Sequence, residues 1–459
     1  MNCHCPHCGK ELVDDGEALQ CTFCHDSFLR SEMEEREAKL AKILSGRDLS
    51  SFHTSKMDLL HRYSDHDFLT DGEAIVRVAS DYLKSSSSKE YAEGFKIIER
   101  ASEAGYSEAS FRLAEELRKD WRSEEEAQRG HDLLIQLTEK DYPPAYGALA
   151  KIYLRGERVQ KDYRQGMKIA ASGAKLGDAF CHYALGYYYE TNGDKEQALA
   201  HYKEAAERRN GEAAYRLFVA YKNGATLVEK DDKAAASYMK RGADLGYPRA
   251  QFALGRALLK GEWGFEKNPQ QGIILVMNAA VAGNADAALF AAYAYCTGEY
   301  LPIDERSALT FFNLASSLGD AEGSYGAGAF HAAGIGTPPC PNIGAMYLQK
   351  AVDAGHGPAC QLLADFYGRG LGVKKDANKT IELTKLGAER GFGMSCLLMS
   401  KLCRSGVGVP KDKAKAKEWE KKAKELKKKG DLGLPVAFIL YRARIAGEPL
   451  EKALRKYKK

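Results

Sequence analysis

From about residue 70 onward the chain alternates short apolar runs with polar breaks. The runs keep the i, i+4 spacing that puts side chains on one face of an α-helix. Registered on the residue that follows two small helix-ending positions, the pattern recurs at Gly105, Asp141, Gly177, Arg209, Gly246, Gly283, Gly319, Gly355 and Gly391. The steps lie between 32 and 37 residues, and most are 36. Four positions beyond each anchor stands a small residue: Ala109, Ala145, Cys181, Ala213, Ala250, Ala287, Gly323, Ala359 and Ser395. A period of this length predicts units of helix, turn, helix, turn that hide their apolar stripes against their neighbours.

An apolar residue usually follows four positions later, as in Leu113, Leu149, Leu185, Leu217, Leu254 and Leu363, and a glycine such as Gly156, Gly261, Gly334 or Gly406 then ends the first helix. The second helix carries small pairs such as Ala205-Ala206 and Ala279-Ala280 just before the next anchor, where helices can approach closely. Asp71 to Ala104 reads as a divergent first pair, and Gly433 to Gly447 as a lone first helix capping the stack.

The set Ala359, Leu363, Tyr367, Gly370, Gly372, Val373 and Asp376, echoed by Gly406, Gly408, Val409 and Asp412, resembles the Sel-one-like repeat, a tetratricopeptide-related helical hairpin. The resemblance spans about residues 70 to 447. It implies an all-α fold, a right-handed α/α superhelical solenoid of about ten helical hairpins over 67–447, and it implies an adaptor that assembles protein complexes. The unit at Cys181 is shorter, with Asn192-Gly193-Asp194 at its turn, and is closer to the plain tetratricopeptide form.

The N-terminus carries a different signal. Cys5-x2-Cys8 and Cys21-x2-Cys24 flank a twelve-residue spacer in which Asp14-Asp15-Gly16-Glu17 marks a hairpin turn. Two residues between cysteines aim both sulfurs at one ion, and two such turns supply four thiolates. Cys5-Pro6-His7-Cys8-Gly9 resembles the knuckle of a zinc ribbon. Residues 1–30 are thus expected to form a small zinc-ribbon β-hairpin module holding one structural zinc ion on Cys5, Cys8, Cys21 and Cys24, with iron in the same cage as the alternative. Residues 31–66 read as a connecting helix, from Glu32 to Leu44, and a linker, and 448–459 as a basic tail.

Composition narrows the function. At 459 residues the chain exceeds what one core supports. Its net charge of +4 makes it no general trap for nucleic acid. No run approaches the roughly 18 apolar residues of a membrane span, the start has no apolar leader, and five of the eleven cysteines fall in the first 24 positions while the other six are scattered, so a cytoplasmic protein is expected. Phosphate-loop, H-E-x-x-H and G-x-S-x-G motifs are missing and the eleven histidines are dispersed, which argues against an enzyme.

A protein-protein interaction scaffold is the leading expectation, with a protein or peptide partner in the concave groove. Lys151, Tyr187, Arg256, Tyr293, Asp365 and Lys401 occupy equivalent first-helix positions and differ in charge, which makes them candidate partner-binding residues. The recurring aromatics Phe111, Tyr183, Tyr215, Phe252 and Tyr325 are assigned to the packing of the repeat itself. The alternative is a nucleic-acid- or ribosome-associated factor that binds through the zinc ribbon and the lysine-rich helix within 411–429.

Overall fold

The computed structural model describes residues 70–85, 87–224, 227–428, 436–450 and 453, together with 12–14, 19–21, 27–28 and parts of 35–44. It divides into two compact units, Met1–Asn210 and Gly211–Lys459. Unit 1 holds four helical hairpins: α1 (Asp71–Leu83) with α2 (Ser88–Glu103), α3 (Ser107–Leu117) with α4 (Glu124–Glu139), α5 (Pro143–Arg155) with α6 (Tyr163–Lys175), and α7 (Ala179–Thr191) with α8 (Lys195–Glu207). Unit 2 holds α9 (Gly211–Asn223) with α10 (Asp232–Asp244), α11 (Pro248–Lys260) with α12 (Pro269–Val281), α13 (Ala285–Thr297) with α14 (Glu305–Ser317), and α15 (Ala321–Ala333) with α16 (Pro341–Asp353). It continues with α17 (Gly357–Arg369) and α18 (Ala377–Glu389), then α19 (Gly393–Ser405) and α20 (Lys413–Lys428), and finishes with a single helix, α21 (Val436–Ile445).

All nine anchors have positive φ, including the non-glycine Asp141 at 52° and Arg209 at 69°. Each ends a second helix in the same way. The residue after the anchor donates its N–H to the carbonyl five positions back, as in Asp178 to Gly173 (2.9 Å), Tyr247 to Gly242 (3.0 Å) and Phe392 to Gly387 (2.9 Å). That bond satisfies a helix-end carbonyl and turns the chain into the next hairpin. The small residue four past each anchor is buried at all nine positions. A Cβ added to Gly242 would lie 2.8 Å from that of Ala250, so the helices touch where both sequences are small.

Second helices start on a repeated device as well. Asp162, Asp194, Asp231, Asn268, Asp304, Asp376 and Asp412 each cap their helix through a side-chain oxygen at 2.8–3.1 Å from a backbone N–H of its first turn. The same residues send their own N–H back to the first helix, as from Asp376 to the Tyr367 carbonyl at 3.0 Å. One short polar side chain therefore closes the turn and opens the helix.

Besides helices adjacent in sequence, α1 packs on α3, α5 on α7 and α9 on α11. Each of these pairs joins first helices, so first helices line the inner side of each unit and second helices its outer side. In unit 1, Leu40, Ile43 and Leu44 are buried against α1, α2 and α3. The large core of unit 2 runs from Leu259 to Phe366 and takes in Ala437, Leu440 and Tyr441 of α21. The expected capping helix at the C-terminus is therefore elsewhere: α21 packs on α15.

The N-terminal expectation needs correction. Leu12–Asp14 (β1), Leu19–Cys21 (β2) and Ser27–Phe28 (β3) form an antiparallel three-stranded sheet in the order β1-β2-β3, rather than the lone two-stranded hairpin expected. Among the described residues no group of three or more His, Cys, Asp or Glu is placed to hold a metal ion. A zinc site needs its donors converging on one point at about 2–2.3 Å. Cys5, Cys8 and Cys24 lie outside the described residues, and of Cys21 only the backbone is described. Neither the zinc ribbon nor zinc as a cofactor is upheld, and the fold is assigned on the helical hairpins alone.

Candidate functional site

The six first-helix candidates divide between the two units. Lys151 and Tyr187 belong to unit 1, and Arg256, Tyr293, Asp365 and Lys401 to unit 2. Two of the latter are engaged within the protein. Asp365 pairs with Arg369 of its own helix at 2.9 Å. Tyr293 donates its hydroxyl to Glu322, which also accepts from His356 Nε2 at 2.7 Å, and burial beside that carboxylate raises the Tyr293 hydroxyl well above its ordinary value. His356 Nδ1 in turn accepts the Ala359 N–H, so it caps α17 and its proton stands on Nε2 toward Glu322. Arg256 lies over the Phe252 ring at 5.7 Å. Tyr187 and Lys401 are exposed.

Lys151 is different, because it lines a cavity of about 820 Å³ on the inner side of unit 1. Three hairpins build it. Phe111, Leu134, Ile152 and Phe180 form apolar walls, and the Asp178 carboxylate fills the room that Gly147 leaves on α5. Two cations of the lining hold the walls in place. Arg158, in left-handed backbone at φ 57°, donates to the Lys119 and Arg122 carbonyls at 2.8 Å each and to Glu124 at 2.7 Å. Arg118 donates to the Glu157 carbonyl, and burial draws its guanidinium below the ordinary value. Lys151 and Arg209 have no ion-pair or hydrogen-bond partner among the described residues.

Of the lining residues, Arg118, Arg158, Arg209 and Phe180 were not among the six sequence candidates. Arg209 had a visible signal, since it is a long cation at an anchor where glycine is the rule. Four of the five recurring aromatics pack between hairpins, whereas Tyr183 meets Phe180 and Tyr202 of its own hairpin, and Phe111 also lines the cavity. Phe111 meets Tyr142, Tyr215 meets Tyr247, Phe252 meets Phe290 and Tyr325 meets His356, with ring centroids 4.8 to 6.0 Å apart.

The described cysteines Cys181, Cys296, Cys340, Cys360, Cys396 and Cys403 are free thiols, and burial pushes those of Cys181, Cys296, Cys360 and Cys396 up. A thiol held protonated is a poor nucleophile. No helix among the described residues is long and apolar enough to cross a membrane.

The Sel1 repeat model matches eight consecutive segments, 143–178, 179–210, 211–247, 248–275, 285–320, 321–356, 357–392 and 393–427, more than half of the chain. A similar curated relative is an uncharacterized protein of Neisseria meningitidis serogroup B, 24% identical over 314 residues. That similarity takes in 61% of this chain, which spans 66% of the relative's length. Among solved structures, a protective antigen present in uropathogenic Escherichia coli strains and displaying an SLR fold is 19% identical at a TM-score of 0.50, covering 93% of this chain and 95% of that one. A Sel1 repeat protein from Oxalobacter formigenes is 26% identical at a TM-score of 0.46, covering 53% and 96%. With its matched segments lying on the hairpins described above, the chain belongs to the Sel1 repeat family.

Proposed function

We propose that the chain is a protein-protein interaction scaffold whose unit 1 binds a segment of a partner on its inner side. The observation that carries this reading is the unit 1 cavity, where the unpaired cations Lys151 and Arg209 stand beside the apolar walls of Phe111, Ile152 and Phe180. Such a lining suits a peptide that brings an aromatic or aliphatic side chain together with a carboxylate. Of the four carboxylates of the lining, Asp178, Glu115 and Glu157 are engaged within the protein and Asp120 is exposed. Asp178 caps α7 by accepting the Cys181 N–H at 2.7 Å, and Glu115 pairs with Arg112 at 3.0 Å.

The nucleic-acid alternative had two supports, and the ribbon is not upheld. Part of the charge of the other, α20, is spent within the protein. Lys422 bonds the Ala388 carbonyl at 2.8 Å, and Lys424 and Arg404 share Glu420 at 3.0 and 2.8 Å.

A photo-reactive amino acid in place of Lys151, compared with one at exposed Lys168 on the outer helix α6, tests the scaffold reading in cells that make the protein. A specific protein crosslinked from 151, not from 168, and lost when Arg209 becomes Glu is the expected result. Equal labelling from both positions would remove the inner side of unit 1 from the reading.

A further inference from the structure

The last helix of unit 2 lies against a first helix in the middle of the stack. Only seven residues, 429–435, separate α20 from α21. Yet α21 packs back on α15, a first helix, instead of extending the stack. Its contact face is Ala437, Leu440, Tyr441 and Arg444, the i, i+3, i+4, i+7 pattern by which an amphipathic helix seats in a groove. Ala437, Leu440 and Tyr441 are buried in the core of unit 2. The Tyr441 ring lies 6.2 Å from that of Phe366 on α17, and Arg444 pairs with Glu305 at the start of α14. Leu440 and Leu450 close over Tyr295, Ile303, Phe330 and Ile335, leaving a void of only about 20 Å³.

Where α21 sits, the receiving surface carries the smallest residue found at the equivalent inner position of the hairpins. Ala329 on α15 holds the inner position that Lys151, Arg256, Asp365 and Lys401 hold on theirs, and it is fully buried. A methyl group there admits a helix where a long charged side chain would exclude it. α21 is ten residues long, too short to persist as a free helix. Its ion pair is also open to water, with both side chains 37% exposed, the setting in which such pairs contribute least.

We propose that the inner side of unit 2, from α13 to α17, is a receptor for an amphipathic partner helix with a small residue, Leu, an aromatic residue and Arg at i, i+3, i+4 and i+7, and that α21 occupies it until such a helix competes. The charge complement is in place, since Glu305 meets the arginine at one end of the seat. This goes beyond the reading of the unit 1 cavity and does not rest on it. A seven-residue tether sets a local concentration of millimolar order, so with a Kd of about 10 μM for α21 itself in the open groove, any competing helix would bind the closed protein about 100-fold more weakly.

The probe is a fluorescent synthetic peptide with the sequence of residues 434–450, added to the full chain. The wild type should bind it weakly, and Leu440→Asp, which expels α21, should bind it about 100-fold more tightly. Adding Glu305→Arg to that variant should abolish binding, and a peptide carrying Arg444→Glu should restore it. A second protein, with a protease site inserted after Gly430, avoids a core substitution. After cutting, the severed helix should exchange for labelled peptide with no change in circular dichroism. The proposal is overturned if a folded Leu440→Asp protein binds no better than wild type, or if the severed helix does not exchange. Unfolding of unit 2 when the severed helix leaves would make α21 a structural cap and also overturn it. So would a concentration-dependent dimer that swaps α21 between copies while the monomer binds no peptide. None of these outcomes touches crosslinking from position 151, so the two readings fail separately.

Discussion

His182 and His201 meet directly, Nδ1 to Nδ1 at 3.0 Å, with the Tyr189 ring stacked on His201. One proton serves both nitrogens, so the contact needs at least one neutral ring. Burial draws both imidazoles below their ordinary value, and the neighbouring Glu204, which favours the charged form, does not outweigh it. Because the folded-state values lie below the unfolded one, the unfolded chain binds more protons once pH falls through the ordinary histidine range near 6.5. The stabilising contribution is therefore complete above that range and is lost as pH falls through it. The expected result is a thermal midpoint that drops between pH 7.5 and 5.5, and a smaller drop in the His182→Asn, His201→Asn double variant. An identical slope in both proteins would assign the pH dependence to other groups. This pair left no trace in the spacing of the histidines, which are nineteen positions apart on two helices. The small residues at the anchor+4 positions, by contrast, were legible, because close helix approach leaves the same small residue in every unit.

At the scale of the element, the first seven residues of a turn matter as much as the helices. The Asp or Asn that caps second helices recurs at Asp162, Asp194, Asp231, Asn268, Asp304, Asp376 and Asp412, a signal available in the sequence but readable only once the start of the second helix is known. The start of α16 breaks the series with Cys340, which makes no side-chain cap. Its backbone already has the geometry of the others, with φ −140° against −143° at Asp304, and its N–H still reaches the His331 carbonyl. Cys340→Asp should therefore add a cap without moving the chain, stabilising the protein by about 1 kcal/mol. A higher denaturant midpoint at unchanged m would show it, and an unchanged midpoint would mean that water already satisfies the helix end. The docking of α21 was misread for a related reason. Its stripe of Ala437, Leu440 and Tyr441 serves equally well for stacking on the last hairpin or for lying on α15, and amphipathicity alone does not name the surface it meets.

For the molecule as a whole, the period, the hairpins and the anchors were open to reading because a repeat multiplies each weak local signal nine times. What occurs once was not. The four-cysteine spacing looked like a metal site, yet no metal-holding group exists among the described residues, and spacing says where sulfurs could go without bringing them together. The unit 1 cavity depends on contacts across three hairpins that share no sequence motif. Stacked repeats also carry stability mainly between neighbours, which predicts how far a local injury travels. Gly336, in the turn before α16, has φ 73°, and a Cβ there would meet the Glu305 carbonyl oxygen at 2.4 Å and its carbon at 2.7 Å. These are backbone atoms with no side chain to move aside, so Gly336→Ala combines a left-handed penalty with a forced shift of α14, a loss of about 2–4 kcal/mol. The Gly336 N–H also reaches Glu305 at 3.2 Å, and Glu305 holds Arg444, so the damage should spread to α21. Hydrogen exchange on the full chain should rise in α14, α15, α16 and α21 and stay unchanged in α1 to α6. A uniform rise across both units would instead mean that the chain opens as one cooperative body, and would set aside the nearest-neighbour account of its stability.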